Sequence, residues 1–359
     1  MSYLKIALLA NLKTNAPHHP GEPGDRWSEL DSERTVEAIA SALRGSGHEV
    51  DFLEGDKKLY RELERGHFDI AFNICEGHQG DARESQVPAI LEMLGIPYTG
   101  SKVLCLALTL DKPMTKRILL SHGLPTPRFQ VFESPYEPLD SNPRYPLFVK
   151  PSREGTGMGI SNSSIVHNEG ELRHQVRWVI ETYQEPALVE EYIEGREITV
   201  GLLGNERLHI FPPLEVDFSP CPPEEQAIYT SRIKSELYHS PRYLCPASLT
   251  DDKIEELSRL AVAAFRALSC LDMVRVDFRL DTHDGDRPYI LEINPLPGLC
   301  PGVSDFVMQA EADGMSHAQL INAILNEALK RYPELLRKAQ EAPSLETVKV
   351  VKSISVNIR

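Results

Sequence analysis

The sequence has no long apolar run, no excess of positive charge and no closely spaced cysteine pair. Each absence removes a class of function. A membrane-spanning helix needs about 20 consecutive apolar residues, so no membrane partner is expected. A net charge of −15 over 359 residues has the wrong sign for a nucleic-acid-binding face. The six cysteines (Cys75, Cys105, Cys221, Cys245, Cys270 and Cys300) are scattered without a CxxC motif. That fits reduced thiols in a cytoplasmic protein better than a disulfide framework or a zinc site. Internal repeats are absent as well.

What remains is an ordinary composition, 41% apolar and 25% charged, able to bury a sizeable core. The length suits two or three domains. The opening "MSYLKIALLA" reads as a first buried strand rather than a signal peptide, because its apolar core is short. "SERTVEAIASALRGSGHEVDFLE" reads as helix, glycine stop and strand: Val36, Ile39, Ala40 and Leu43 share a face, and Gly45 and Gly47 end it. With the strand in "HFDIAFNICEG" and the helix in "QVPAILEMLGIPYTGS", the alternation predicts a parallel sheet covered on both faces. This unit ends between Ser101 and Leu110. A helix from Lys112 to His122, the strand "YPLFVK", a helix from Glu169 to Tyr183 and "PALVEEYIEGREITVGLLG" make a middle unit. The third carries strands at "RLHIFPPLEV" and "MVRVDFRLD", a helix from Asp251 to Ser269 between them, then "PYILEINPLPGL" and helix through Leu335. The final "VKVVKSISVNIR" alternates like an added edge strand but reads equally as a tail without a role.

The chemistry concentrates around "VKPSREGTGMGIS", Val149 to Ser161. No GK[ST] closes it, so it is not a P-loop. Gly155, Gly157 and Gly159 precede a β-like segment, whereas a Rossmann turn must open a helix. What is left is a glycine-rich loop between antiparallel strands, either a flap that lays backbone N–H groups over phosphates or a plain hairpin turn. Lys150 precedes it and Lys112 begins the middle unit; either can neutralise phosphate. Downstream, Arg275 and Asp277 are two apart in "RVDF", and Glu292 and Asn294 two apart in "LEINP". Residues at that spacing share a face of a strand. Neighbouring strands would then offer hard oxygen ligands suited to Mg²⁺ bridging phosphates.

The segments "GIPYTGS" with "LDK", "FVKPSREGTGMGIS", "LVEEYIEGREITV", "YLCPASL", "VRVDFRL" and "LEINPLPGL" resemble the ATP-grasp superfamily, and within it the D-alanine–D-alanine ligase-like group. They stand in the family order across most of residues 1–335. The resemblance implies an α/β (α+β) fold of three domains: a parallel α/β domain (1–108), a small central domain (109–204) and a C-terminal domain with an antiparallel sheet (205–335). ATP would sit between the last two, with 336–359 as a tail. By match, Lys112, Lys150 and Lys234 would face ATP phosphates, although Lys234 also reads as an ordinary solvated lysine. Ser152 to Gly159, including Gly155, Thr156 and Gly157, would form the flap. Backbone groups of Glu190, Glu191, Tyr192 and Ile193 would read adenine, and Glu197 the ribose. Asp277, Glu292 and Asn294 would ligate two Mg²⁺ ions, or Mn²⁺ in their place. Arg275 and the Gly298 N–H would stabilise an oxyanion. Glu29, with Glu33 second, would hold the first substrate's ammonium, and His78 would be a substrate-side histidine; a helix N-terminal acid and a loop histidine are their plainer readings. The implied reaction makes a peptide-type bond from a small carboxylate and an amine through an acylphosphate. The resemblance also implies a cytoplasmic homodimer.

The acceptor side departs from the family. After "PGL" no serine stands where the ligases carry one, although Ser304 lies one residue on. Ser235 replaces a tyrosine, Thr156 and Gly157 replace two flap serines, and the first loop lacks the glycine-rich start. These differences point to an acceptor other than D-alanine. A genuine D-alanine–D-alanine ligase, a small-molecule kinase and a non-catalytic nucleotide-binding module are the rival readings.

Overall fold

A computed structural model of the chain describes residues 4–18, 20–140, 143–222, 228–230, 232–233, 237 and 239–340. Lys234, Ser235 and the alternating segment near the end lie outside the described residues.

Three strands, β1 (Lys5–Ala10), β2 (Glu49–Glu54) and β3 (Ile70–Asn73), pair in parallel in the order β2-β1-β3. Alternation along β1 divides its side chains between two cores. Ile6 and Leu8 meet Val36, Ile39 and Leu43 of α1 (Glu33–Gly45) on one face. Ala7 and Leu9 meet Leu59 and Leu63 of α2 (Leu59–Gly66) and Leu91 of α3 (Gln86–Leu94) on the other. The expected doubly covered sheet is present, because a period-2 strand buried on both faces must be apolar throughout. Ser32 caps α1 by accepting from the Thr35 N–H, and Gly47 takes φ +94° past its end, a conformation open to glycine.

Helices α4 (Val103–Leu110) and α5 (Lys112–Ser121) connect this unit to the rest. Asp111 separates them; its side chain caps α5 at the Met114 N–H, and Pro113 occupies the first turn, where a missing N–H costs nothing. Strands β4 (Phe129–Phe132), β5 (Leu147–Pro151), β6 (Ile165–Val166) and β7 (Ala187–Glu191) form an antiparallel sheet in the order β4-β7-β5-β6, backed by α6 (Glu169–Tyr183). The segment after the glycines is mostly a single 3₁₀ turn, Asn162–Ser164, and only Ile165 and Val166 pair as strand.

The third sheet runs β11-β10-β8-β12-β13, with β9 beside β8 and every pairing antiparallel. Its strands are β8 (Gly195–Gly204), β9 (Leu208–Ile210), β10 (Leu214–Asp217), β11 (Arg242–Leu244), β12 (Met273–Asp281) and β13 (Arg287–Asn294). Helix α7 (Asp251–Ala267) covers the face formed by Ile198, Val200, Val276 and Phe278. Helices α8 (Asp305–Ala312), α9 (His317–Leu329) and α10 (Pro333–Gln340) follow. Leu320, Ile321 and Ile324 of α9 join the core of α1 and β1, so the chain's last helices close on its first sheet. The six cysteines are all free. Among the described residues no helix is long and apolar enough to cross a membrane.

Candidate active site

Two cavities share Glu292 and Tyr229 in their walls. The first, of about 690 Å³, lies between the second and third sheets. Phe148, Ile160, Tyr192, Ile193, Ile228 and Leu291 give it a broad apolar lining, with the Phe148 and Tyr192 rings stacked at 6.3 Å. Its charged lining includes Lys150 and Arg279 beside the carboxylates of Glu190, Glu191, Glu197, Asp277 and Glu292. A flat apolar slot with a few convergent polar groups is the usual form of a nucleotide site. The second cavity, of about 1140 Å³, is built from the first domain (Glu29, Glu76, Glu84), the glycine loop (Gly155, Thr156) and the third domain (Arg275, Asn294, Gly298, Ser304).

The glycine loop lies across the junction, with Gly157 lining the first cavity and Gly155 and Thr156 the second. Thr156 takes φ +50° and Gly157 φ +74°, a conformation rarely occupied by a threonine. The loop is fastened to the first domain: the Gly159 N–H donates to Asp25 at 2.9 Å, and Glu154 pairs with Arg26 and Arg83, both at 3.1 Å. A β-carbon at Gly155 would stand 2.6 Å from Glu29 Oε2, so this close approach requires glycine. Ser152 is buried at the loop's base and lines neither cavity.

Behind the loop, three charged side chains are stacked in protein. Glu190 on β7 is ion-paired to Lys116 and stands 3.1 Å from Lys150 on β5. Lys116 is fully buried and donates to Thr126 Oγ1 at 2.8 Å. Burial pushes the Glu190 carboxyl up, but the two ammoniums outweigh it and hold the group below its usual range. Burial lowers the Lys116 pKa, only partly offset by Glu190. Lys150 is also buried, yet Glu190 and Glu292 together raise it. The two lysines move in opposite directions because Lys150 bonds both Glu190 and Glu292, whereas Lys116 bonds Glu190 alone, feels Glu292 only from farther off and is lowered further by the Lys150 charge. Lys112 donates to the Glu154 carbonyl at 2.5 Å and stands 3.7 Å from Glu292, and Lys150 stands 3.6 Å from Glu292.

Strands β12 and β13 bring the predicted acid pairs together: Arg275 is opposite Asn294, and Asp277 opposite Glu292. The register then shifts, with Phe278 opposite Ile290. This β-bulge keeps Ile290 and Ile293 in the core while Leu291 and Glu292 both line the first cavity. Arg275 forks onto Asp277 with two bonds of 2.9 Å, and Thr199 and Asn294 donate to the same carboxylate at 2.8 and 2.9 Å. Burial opposes the Arg275 charge, but Asp277 and Asp305 outweigh it and raise its pKa. Glu197 is held by Arg279 at 2.8 Å, directly opposite on β12. In the segment expected to read adenine, the Glu191 and Tyr192 N–H groups are spent on the Arg128 and Pro146 carbonyls, and the Ile193 carbonyl accepts from Arg279.

The substrate-side candidates divide. Glu29 lines the second cavity, where Arg83 binds it at 2.6 Å. Glu33 lies at the exposed start of α1 and accepts from Thr14 at 2.6 Å, away from either cavity. His78 also lines neither cavity; its ring meets Trp27 edge-on at 5.6 Å, and the loop turns Glu76 toward the cavity instead. Ser304 Oγ accepts from the Cys300 N–H at 3.0 Å and sits over Gly298, where a β-carbon would stand 2.7 Å from it. Lys116, Glu76, Glu84, Arg83 and Tyr229 went unrecognised in the sequence. Only Lys116 left a signal, four residues after Lys112 and therefore on the same helix face.

As ligands for Mg²⁺, two carboxylates and an amide on facing strands are the right chemistry but an incomplete set. Among the described residues no cluster of three acidic, histidine or cysteine side chains could hold a metal by itself. Mg²⁺ is commonly held by one or two carboxylates with substrate phosphates supplying the rest, so the residues present fit an ion that arrives with a nucleotide.

Comparison with known proteins agrees with this geometry. Residues 118–326 match the family model described as the D-ala D-ala ligase C-terminus. An uncharacterised protein of Sinorhizobium fredii is 38% identical over 307 residues, covering 83% of this chain and 88% of that one. A D-alanine–D-alanine ligase of Bordetella petrii is 34% identical over 309 residues, covering 85% and 90%. The crystal structure of the Bacillus anthracis D-alanine–D-alanine ligase complexed with ATP shares the fold, with a TM-score of 0.70 at 24% identity over 92% of this chain and 99% of that one. The chain therefore belongs to the ATP-grasp superfamily, in the D-alanine–D-alanine ligase-like group of ATP-dependent carbon–nitrogen ligases.

Proposed function

We propose that the protein joins a small carboxylate to an amine at the expense of ATP, through an acylphosphate, and that its acceptor is not D-alanine. The observation that carries the reading is the junction between the cavities. Arg275–Asn294 and Asp277–Glu292 are set side by side there, Lys112 and Lys150 stand at Glu292, and the glycine loop lies across both cavities. ATP in the first cavity would put adenine in the slot at Phe148 and Tyr192, with the Ile193 backbone as its polar reader and Glu197 at the ribose. Its phosphates would reach Lys112, Lys150 and the backbone of Gly155 to Gly157. Asp277, Glu292 and Asn294 would hold Mg²⁺, which would supply charge neutralisation at the transferred phosphoryl group.

The donor carboxylate, in the second cavity, attacks the γ-phosphorus and ADP leaves. The amine nitrogen then attacks the acyl carbon, loses a proton, and inorganic phosphate departs with one of the donor's carboxylate oxygens. Arg275 and the Gly298 N–H are suited to the negative oxygen of the tetrahedral intermediate; losing one such donor typically costs about 10²–10³ in rate. The tethers from Asp25, Arg26 and Arg83 to the glycine loop keep water from the acylphosphate. Support for a different acceptor comes from the turn at Gly298, where Asp305 adds a carboxylate to the cavity wall that would repel an acceptor's own carboxylate.

The test is phosphate release with MgATP and pairs of D- and L-amino acids, dipeptides and small carboxylates, with mass spectrometry of the products. An ¹⁸O-labelled donor should pass one label to inorganic phosphate. Turnover confined to D-alanine would overturn the acceptor reading. A stable phosphorylated product formed without an amine would overturn the ligase reading in favour of a kinase.

A further inference from the structure

The donor end of the second cavity is more acidic than one amino acid requires. Glu29, Glu76 and Glu84 all line it. Arg83, the cation beside them, is committed: it bonds Glu29 at 2.6 and 3.0 Å, Glu154 at 3.1 Å and the Arg153 carbonyl at 3.0 Å. Neither Glu76 nor Glu84 has a hydrogen-bond or ion-pair partner among the described residues; both are half-buried in the cavity wall, and Lys112 in the same wall offsets part of the Glu84 charge from beyond ion-pair distance. Crowded, half-buried carboxylates without partners are costly to the fold, and such sites occur where a ligand supplies the missing charge. Resting on the ligase reading, the α-ammonium of a donor amino acid would be met by Glu29, leaving two carboxylates unmatched.

We propose that Glu76 and Glu84 form a second cation subsite, and that the donor is a diamino or otherwise basic amino acid whose side-chain ammonium or guanidinium binds there. The charge environment supports this. Burial and the neighbouring Glu84, Glu29 and Asp31 carboxylates push Glu76 well above its usual range, and burial pushes Glu84 up to about 7. A cation between the two would relieve both. The subsite also accounts for a glutamate where the loop could have turned His78 inward: a histidine would add to the positive charge, not accept it.

The test compares each basic amino acid with a neutral isostere by calorimetry on the full-length protein with MgADP: ornithine against norleucine, 2,4-diaminobutyrate against norvaline, and arginine against citrulline, in both enantiomers. At least one cationic member should bind about tenfold or more tightly than its isostere. Glu76→Gln or Glu84→Gln should reduce that ratio to within about twofold, while melting at or above the wild-type temperature because a crowded carboxylate has been neutralised. Equal binding of every pair, or a preference that survives both substitutions, overturns the subsite. ADP release with the same compounds and an amine panel reports separately on the ligase. A cation preference without turnover would sink the ligase reading and leave the subsite standing. Equal turnover of charged and neutral donors would do the reverse.

Discussion

Substituting Lys116 by methionine tests the electrostatic support of Lys150, the lysine proposed to face phosphate. The side chain is fully buried, touches Glu190, and donates to Thr126, whose hydroxyl donates to the Ile290 carbonyl at 2.9 Å. Methionine keeps much of the volume and removes the charge. Glu190 would then depend on Lys150 alone, at 3.1 Å. At an effective dielectric of about 20, a pair at that separation attracts by about 5 kcal/mol, so losing Lys116 removes a contribution of similar size and leaves part of the Glu190 desolvation cost uncovered. Breaking a buried pair by removing one partner costs about 3–5 kcal/mol, and Lys116→Met should destabilise by that amount in equilibrium urea unfolding followed by circular dichroism. Lys150 would also be drawn toward Glu190 and away from phosphate, raising the KM for MgATP by about tenfold. Glu190→Gln alone leaves two lysines facing each other without their carboxylate, and should cost a similar amount. The double variant should be less damaged than the sum of the singles, with a coupling energy of roughly 2 kcal/mol. A loss below about 1 kcal/mol for Lys116→Met, together with additive singles, would refute the claim that the three charges act as one unit.

Other outcomes follow from the same geometry. Asp277→Asn should lower ADP formation by at least about 10²-fold while leaving the circular dichroism spectrum unchanged, since it removes the charge of a proposed metal ligand and the fork of Arg275; near wild-type turnover with Mg²⁺ would sink the metal assignment. Gly155→Ala should raise the KM for MgATP by about tenfold, because the new methyl would meet Glu29 Oε2 at 2.6 Å and Glu29 is pinned by Arg83; unchanged kinetics would show that the loop closes less tightly than described. Burial pushes the Asp31 carboxyl from its ordinary 3.8 up to about 7, against a lowering bond from Thr35. Its folded-state pKa is raised, so between these values the folded protein keeps a proton that the unfolded chain has shed. Its contribution to stability is therefore full below pH 3.8 and lost as pH rises through about 7. Asp31→Asn should thus stabilise the protein at pH 8 by on the order of 4 kcal/mol and flatten the stability profile between about pH 4 and 7; an unchanged profile would contradict the assignment.

How much of this was legible in the sequence depended on whether a residue's role followed from its local period. The doubly covered first sheet was legible because β1 is apolar at every position after Lys5, and α1 because its buried positions recur every three or four residues. The rows Arg275–Asp277 and Glu292–Asn294 were legible because a strand repeats every two. The bulge that lets Leu291 and Glu292 face the same cavity was not, since an extra residue in one strand is visible only against its partner. Lys116 was hidden for a related reason. A lysine on a helix is ordinarily solvated, and nothing local says that Glu190, on a strand more than 70 residues away, will meet it.

The same limit explains the substrate side, where the sequence pointed to His78 and the cavity holds Glu76. The two are separated only by Gly77, which takes φ +76°, and that left-handed step sets how the loop turns between them. A β-carbon on Gly77 would stand 2.6 Å from the Arg83 carbonyl. The glycine therefore also lets this loop lie against the segment carrying Arg83 and Glu84. Backbone geometry at one residue thus decides whether a cation or an anion is welcome in the donor cavity. Motif matching assigns that position by residue type and spacing, and neither carries the direction in which the chain turns. The residue rows proposed for phosphate and metal were legible as rows because that chemistry restricts residue types to lysine, glycine, aspartate and glutamate at fixed spacings. The identity of the donor is written instead in the charge balance among Glu29, Glu76, Glu84 and Arg83, residues up to 55 positions apart that only the folded chain brings to one wall.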